Sequence, residues 1–210
     1  VRTFNFDQKY SVGMPNVVVS PTAMNVLYQG IQNPLDISVP GVGSDKLTVR
    51  MTNGDIKKGK YKDYRGEYVA QPRTVGQNAE IIVSANIDGK VQTFPAVEFR
   101  VRRLPDPEAR FANMKEGTVL KSVASAQQVV TAVLENFEFD LTYTVTGFTV
   151  SVNDKGFEIT AESNNNRLTD KQKGLIANLR AGQKLIIEKI KAVGPDGRTR
   201  DLNPIILKIN

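Results

Sequence analysis

Leu47, Val49 and Met51 alternate with Thr48 and Arg50, the period of two that half-buries a β-strand. Runs of this kind recur through the first half of the chain. Val17-Val18-Val19, Met24 to Tyr28, Asp36 to Val39 and Lys46 to Thr52 are short β-type segments parted by Pro, Gly and Asn. Asn53-Gly54 and Asp88-Gly89 both read as hairpin turns, because such pairs tolerate positive φ. Around the second, Ala79 to Ile87 and Lys90 to Arg103 predict one long hairpin, with Val97, Phe99 and Val101 on a common face. About seven strands in about 100 residues, with no helical period, predict a β-sandwich of immunoglobulin-like architecture. Neither a Trp nor a Cys pair marks a true immunoglobulin domain.

Leu104-Pro105-Asp106-Pro107-Glu108 follows, a stiff connector that divides the chain into 1–104 and 105–210. Beyond it, Ser122 to Leu134 fits both a helical face and a strand, and reads best as a short helix or turn leading into a strand. From Phe137 the apolar residues fall at odd positions (Phe139, Leu141, Tyr143, Val145), then switch after Gly147 to Phe148, Val150 and Val152. A phase flip at a glycine predicts a β-bulge or sharp bend. Asn153-Asp154-Lys155-Gly156 turns the chain, and Phe157, Ile159 and Ala161 return it. A helix is expected near 169–181, capped by Thr169 or Asp170, striped by Leu175, Ile176 and Leu179, and stopped by Gly182. Strands follow at Lys184 to Val193 and Ile205 to Ile209, split by the turn Gly194-Pro195-Asp196-Gly197. The whole is mainly β: two consecutive sandwich domains, the second with one or two short helices.

Composition narrows the chemistry. The 210 residues contain no Cys and no His. That removes thiolate nucleophiles, Cys-based zinc sites and the commonest general base near neutral pH. No apolar stretch approaches the roughly 18 residues of a membrane span, and no signal-peptide pattern opens the chain. A chain that opens on Val1 is expected to be a piece of a longer one, with any anchor upstream.

The net charge of +6 is uneven: residues 1–104 hold 14 Lys and Arg against 9 Asp and Glu, and residues 105–210 hold 14 against 13. Much of the excess lies in Lys57, Lys58, Lys60, Lys62 and Arg65, interleaved with Tyr61 and Tyr64. Such a run can bind nucleic acid, but no recognition fold accompanies it. Lysines on an edge strand, which discourage edge-to-edge pairing, account for it better.

Three further patterns come to little. Gly54 to Lys60 has the spacing of a phosphate-binding loop, but Tyr61 stands where Ser or Thr should hold magnesium, and a strand follows where a helix should. Gly41-Val42-Gly43 lacks the third glycine of a dinucleotide loop. Glu135, Glu138 and Asp140 with Asp154, Glu158 and Glu162 could suggest a glycosidase pair or calcium. Alternation with Phe137, Phe139 and Leu141 places Glu138 and Asp140 on the polar face of a half-buried strand instead. No catalytic, cofactor-binding or metal-ligating residue is therefore assigned, and neither metal nor nucleotide is expected to copurify. A sugar-binding or adhesive β-sandwich is the alternative class; it predicts an exposed aromatic platform, in a chain without Trp.

Val18-Val19-Ser20-Pro21-Thr22-Ala23-Met24-Asn25-Val26-Leu27-Tyr28-Gln29-Gly30, followed by Asn33-Pro34 and Val39-Pro40-Gly41-Val42, resembles the penultimate domain of the GldM/PorM family of gliding-motility and type IX secretion proteins of the Bacteroidetes. Phe137-Glu138-Phe139-Asp140, Phe148-Thr149-Val150, Leu168-Thr169-Asp170-Lys171-Gln172-Lys173, Leu179-Arg180-Ala181-Gly182-Gln183-Lys184, Gly194-Pro195-Asp196-Gly197 and Arg200-Asp201-Leu202 resemble its C-terminal domain. The resemblance implies a non-enzymatic periplasmic rod, homodimeric and anchored in the inner membrane by an upstream helix. A small membrane partner would drive it from the proton gradient, and its distal end would meet a ring of lipoprotein and periplasmic subunits under the outer membrane. Docking on that ring is expected within residues 105–210, which end the rod.

Overall fold

The computed structural model describes residues 22–210, so the strand expected at Val17-Val18-Val19 lies outside the described residues. The chain divides into two compact units, 1–103 and 104–210.

The N-terminal unit contains β1 (Val26–Tyr28), β2 (Asn33–Leu35), β3 (Leu47–Met51), β4 (Gly54–Lys58), β5 (Tyr68–Pro72), β6 (Ala79–Ile87), β7 (Lys90–Thr93) and β8 (Val97–Arg102). One sheet runs β1-β8-β6-β3, with β7 also on β6; the other runs β2-β5-β4. Leu27, Ala79 and Val101 from the first sheet and Ala70 from the second form the buried core, joined by half-buried Met51, Ile56 and Phe99. The sandwich follows from alternation: each strand turns one set of apolar residues toward the other sheet.

The two turn dipeptides part ways. Asp88 (φ 50) and Gly89 (φ 80) close a two-residue hairpin, Ile87 facing Lys90. β7 and β8 then share β6, with one residue of slip around Phe94-Pro95-Ala96. Asn53 (φ 51) and Gly54 instead carry the chain from one sheet to the other, because β3 ladders onto β6 and β4 onto β5. The Asn53 amide donates to Thr74 O at 2.8 Å and Gln77 O at 2.7 Å, which pins that crossing. Asp36 to Val39 is not a strand. The ladder forms earlier, at β2, where buried Asn33 donates to Tyr28 O, Ile31 O and Ala70 O and accepts from Tyr28 N–H.

The C-terminal unit contains β9 (Glu108–Arg110), β10 (Glu116–Val119), α1 (Lys121–Ala126), β11 (Thr131–Val133), β12 (Thr144–Asp154), β13 (Phe157–Ser163), α2 (Asp170–Asn178), β14 (Lys184–Val193), β15 (Thr199–Leu202) and β16 (Ile205–Ile209). Its main sheet runs β10-β16-β14-β12-β13, with β15 on β14, while β9 and β11 form a separate ribbon. Ala109 of the ribbon, Ile176 of α2 and the connecting residues Phe111, Val130 and Leu168 contribute to a core whose sheet face is Val150, Leu185, Ile187, Ile190, Ile205 and Leu207. Each of the larger side chains contributes about 1.5–3 kcal/mol through its burial.

Ser122 to Leu134 resolves into α1 followed by β11. The flip at Gly147 is a bulge: the β12–β14 register shifts on both sides of it, and Val145 and Phe148 are both buried. Phe137 to Thr142 is not a strand, because the β12–β14 ladder ends at Thr144–Val193, where the chain turns away at Gly194. Phe137 and Phe139 instead bring their rings to 5.7 Å. The helix α2 ends at Leu179, short of Gly182: the Leu179 N–H turns back to Ile176 O, and Gln183 Oε1 accepts the Arg180 N–H at 2.6 Å. Gly182 (φ 88) belongs to the following turn.

Candidate functional site

No reaction centre assembles from the motifs singled out in the sequence. Gly54 to Lys58 is strand β4, and a Cβ on Gly54 would lie 2.4 Å from Gln71 O; this glycine serves close strand approach rather than a phosphate. The basic run occupies β4 and the loop after it. There Lys58 bonds Ser44 and pairs with Glu67, Tyr61 stacks on Tyr64 at 5.9 Å, and Lys62 lies over the Tyr61 ring. The carboxylates stay dispersed. Glu135 pairs with Arg110 at 2.7 Å, while Asp154, Glu158 and Glu162 are strung along the β12–β13 hairpin. Among the described residues no group of three or more Asp and Glu gathers in a metal-holding arrangement.

Polar chemistry concentrates where the chain joins the C-terminal unit. Arg200 on β15 bonds Asp196 in the Gly194–Gly197 turn at 2.7 Å and Asp106 at 2.9 Å, and its guanidinium lies 5.2 Å from the Tyr143 ring centre. The Tyr143 hydroxyl donates to Pro105 O at 2.9 Å. Leu104 and Pro107 are buried, so the proline pair is stapled down rather than standing free. Burial pushes the Asp196 carboxyl up, but the hydrogen bonds from Arg200 and the Arg198 N–H outweigh it and hold it below the usual range. Arg200 is raised by its bond to Asp196, and burial raises the Tyr143 phenol. A Cβ on Gly194 would come within 2.9 Å of Tyr143, Arg200 and Asp196 alike, which explains that glycine. Nearby, Glu108 is held down chiefly by its hydrogen bond from Lys115, whose own amine is raised in return.

Thr169 caps α2 in a reciprocal box with Gln172, whose side chain is fully buried and donates to Ala161 O at 3.0 Å. The helix is thereby tied to β13. Cover then thins toward the hairpin tip. Along the core face of β12 and β13, Val150 and Ala161 are 0% and 4% exposed, but Ile159 is 36% and Phe157 76% exposed. Period alone placed Phe157 in a strand-interior phase; the helix ends before covering it. Alternation could not reveal that the aromatic at the hairpin tip is exposed.

These residues hold strands, caps and turns in place, and they define a β-rich structural or binding module. Residues 105–210 match the GldM C-terminal domain, and residues 16–102 match the GldM third domain. The chain belongs to the GldM family, components of gliding-motility and type IX secretion machinery, in which these domains are periplasmic parts of membrane-anchored proteins. No curated protein matches the sequence. Among the described residues no helix is long and apolar enough to cross a membrane.

Proposed function

We propose that this chain is the force-transmitting periplasmic part of an inner-membrane-anchored type IX secretion and gliding complex, acts as a homodimer, and docks through residues 105–210 onto the ring under the outer membrane. A small inner-membrane motor partner would act on the upstream part of the protein.

The observation that carries the force-bearing reading is the pairing of β1 with β8. These are the first described strand and the last strand of the N-terminal unit, and they run parallel, with Val26 facing Arg100 and Tyr28 facing Arg102. Asn25 O accepts from Arg100 N–H, and Gln29 N–H donates to Arg102 O, extending the ladder at both ends. Tension applied before β1 and after β8 pulls parallel neighbours in opposite directions. The ladder bonds are then loaded together in shear instead of opening one at a time. In the C-terminal unit the Arg200–Asp106 and Tyr143–Pro105 bonds hold the point where that tension arrives.

Single-molecule stretching of the 210-residue chain tests this. Pulled by its ends, the N-terminal unit should resist to a several-fold higher force than when pulled through a handle at the Asp88-Gly89 turn, which peels the sheet. Equal forces in the two geometries would contradict the force-bearing role.

A further inference from the structure

We propose that β13 is an open edge that takes up, by strand addition, an extended segment of another protein alternating basic and apolar residues. The edges of the two units differ in how they are blunted. Lysines 57 and 58 mark β4, Pro34 lies in β2, and β10 is four residues long with Gly117 at φ 111. Length, bulges, proline and lysine are the ordinary devices that stop sheets from adding strands. The edges β1 and β3 are three and five residues long, whereas β13 ends its sheet, is 7 residues long and contains neither Pro nor Gly.

Register says what the edge offers. The Lys155-Gly156 turn makes Asp154 and Phe157 a hydrogen-bonded pair, so Glu158, Thr160 and Glu162 aim their backbone amides and carbonyls away from β12. All three are exposed, and neither glutamate makes an ion pair among the described residues. Their side chains share one face of the strand, while Phe157 and Ile159 stand exposed on the other. A guest strand paired here presents alternate residues to two glutamates and the residues between to Phe157 and Ile159. Basic residues fit the first set and apolar ones the second.

A second copy of this chain is the poorer guest. Antiparallel self-pairing centred on Thr160 sets Glu158 opposite the partner's Glu162, and like charges directly opposed weaken a sheet. The identity of the natural guest rests on the ring docking proposed above; the test of the edge does not.

The test uses the 210-residue chain and two synthetic peptides of about seven residues, one alternating lysine with valine and one glutamate with valine. The lysine peptide should bind saturably, about tenfold tighter than the glutamate peptide, and slow amide exchange at Glu158, Thr160 and Glu162. Thr160→Pro removes an outward N–H without touching the β12 ladder, and should weaken binding at least about tenfold. The double variant Glu158→Lys, Glu162→Lys should reverse the preference between peptides. Equal binding of both peptides, binding undiminished by Thr160→Pro, or protection elsewhere in the chain overturns the proposal. So does concentration-dependent protection of the same amides without peptide, which would make a second copy the occupant. Loss of ring capture with peptide binding intact would count against the docking role and leave the edge standing.

Discussion

Arg200 and Asp196 meet at 2.7 Å with side chains 9% and 5% exposed, four residues apart across a tight turn. One fork of the guanidinium thereby orients the turn while another nitrogen reaches Asp106, so a surface loop and the start of the C-terminal unit share one cation. Removing one partner of a buried pair leaves the other charge uncompensated, at about 3–5 kcal/mol. Arg200→Ala leaves Asp196 without its cation and should destabilise the C-terminal unit by about 3 kcal/mol in denaturant unfolding, and Asp196→Ala should cost less, because Arg200 keeps Asp106. Arg200→Lys should recover little of this, because a single ammonium cannot bridge both carboxylates in that geometry.

The same pair sets an acid dependence. The folded Asp196 carboxyl lies below its ordinary value, so its contribution is complete above the unfolded pKa of about 4. As pH falls from there through the depressed folded value, that contribution is lost. The C-terminal unit should lose stability over this window, and Asp196→Asn, already destabilised, should lose less over the same window. Equal acid sensitivity in both proteins would contradict the assignment.

Gln172 links the α2 cap to β13. Thr169→Ala should cost about 1 kcal/mol, the usual value of a cap. Gln172→Ala should cost more, about 2 kcal/mol, since it also removes the buried bond to Ala161 O and half of the capping box. The double variant should fall short of the sum, as members of one network do.

In the N-terminal unit, buried Asn33 needs both faces of its amide: the nitrogen serves three carbonyls and the oxygen one N–H. Asn33→Asp keeps the shape and turns a carboxylate toward those carbonyls. It should destabilise this unit at least as much as Asn33→Ala, by more than about 2 kcal/mol in thermal or denaturant unfolding.

How far the fold could be read from sequence follows from which decisions are local. Asp88-Gly89 and Asn53-Gly54 carry the same turn chemistry, yet only the first closes a hairpin, because the choice of ladder partner belongs to distant strands. The bulge at Gly147 was legible, since a bulge shifts the period itself; Phe137 to Leu141 kept the period with no ladder beside it. Capping by Thr169 could be read from the chain, while the helix end was displaced by a side chain, Gln183, lying beyond it. The motifs that carried the family resemblance proved to be sites of dense hydrogen bonding: Asn33, Gln172, and the turn from Gly194 to Arg200. Exposure of Phe157 was hidden, because period gives a face and not what covers it.

Self-association should show in solution: light scattering of the chain should give about twice 23.2 kDa at raised concentration. A mass that stays at the monomer value as concentration rises would contradict the dimer.

Docking is the central claim, and capture by separate halves tests it most directly. Residues 105–210, immobilised, should retain purified ring subunits, and residues 1–104 should retain far less. The C-terminal half is near neutral, 14 basic against 13 acidic residues, so the contact should be mixed and survive about 0.3 M salt. Equal capture by residues 1–104, or release at that salt, would contradict the assignment of the C-terminal unit as the docking end.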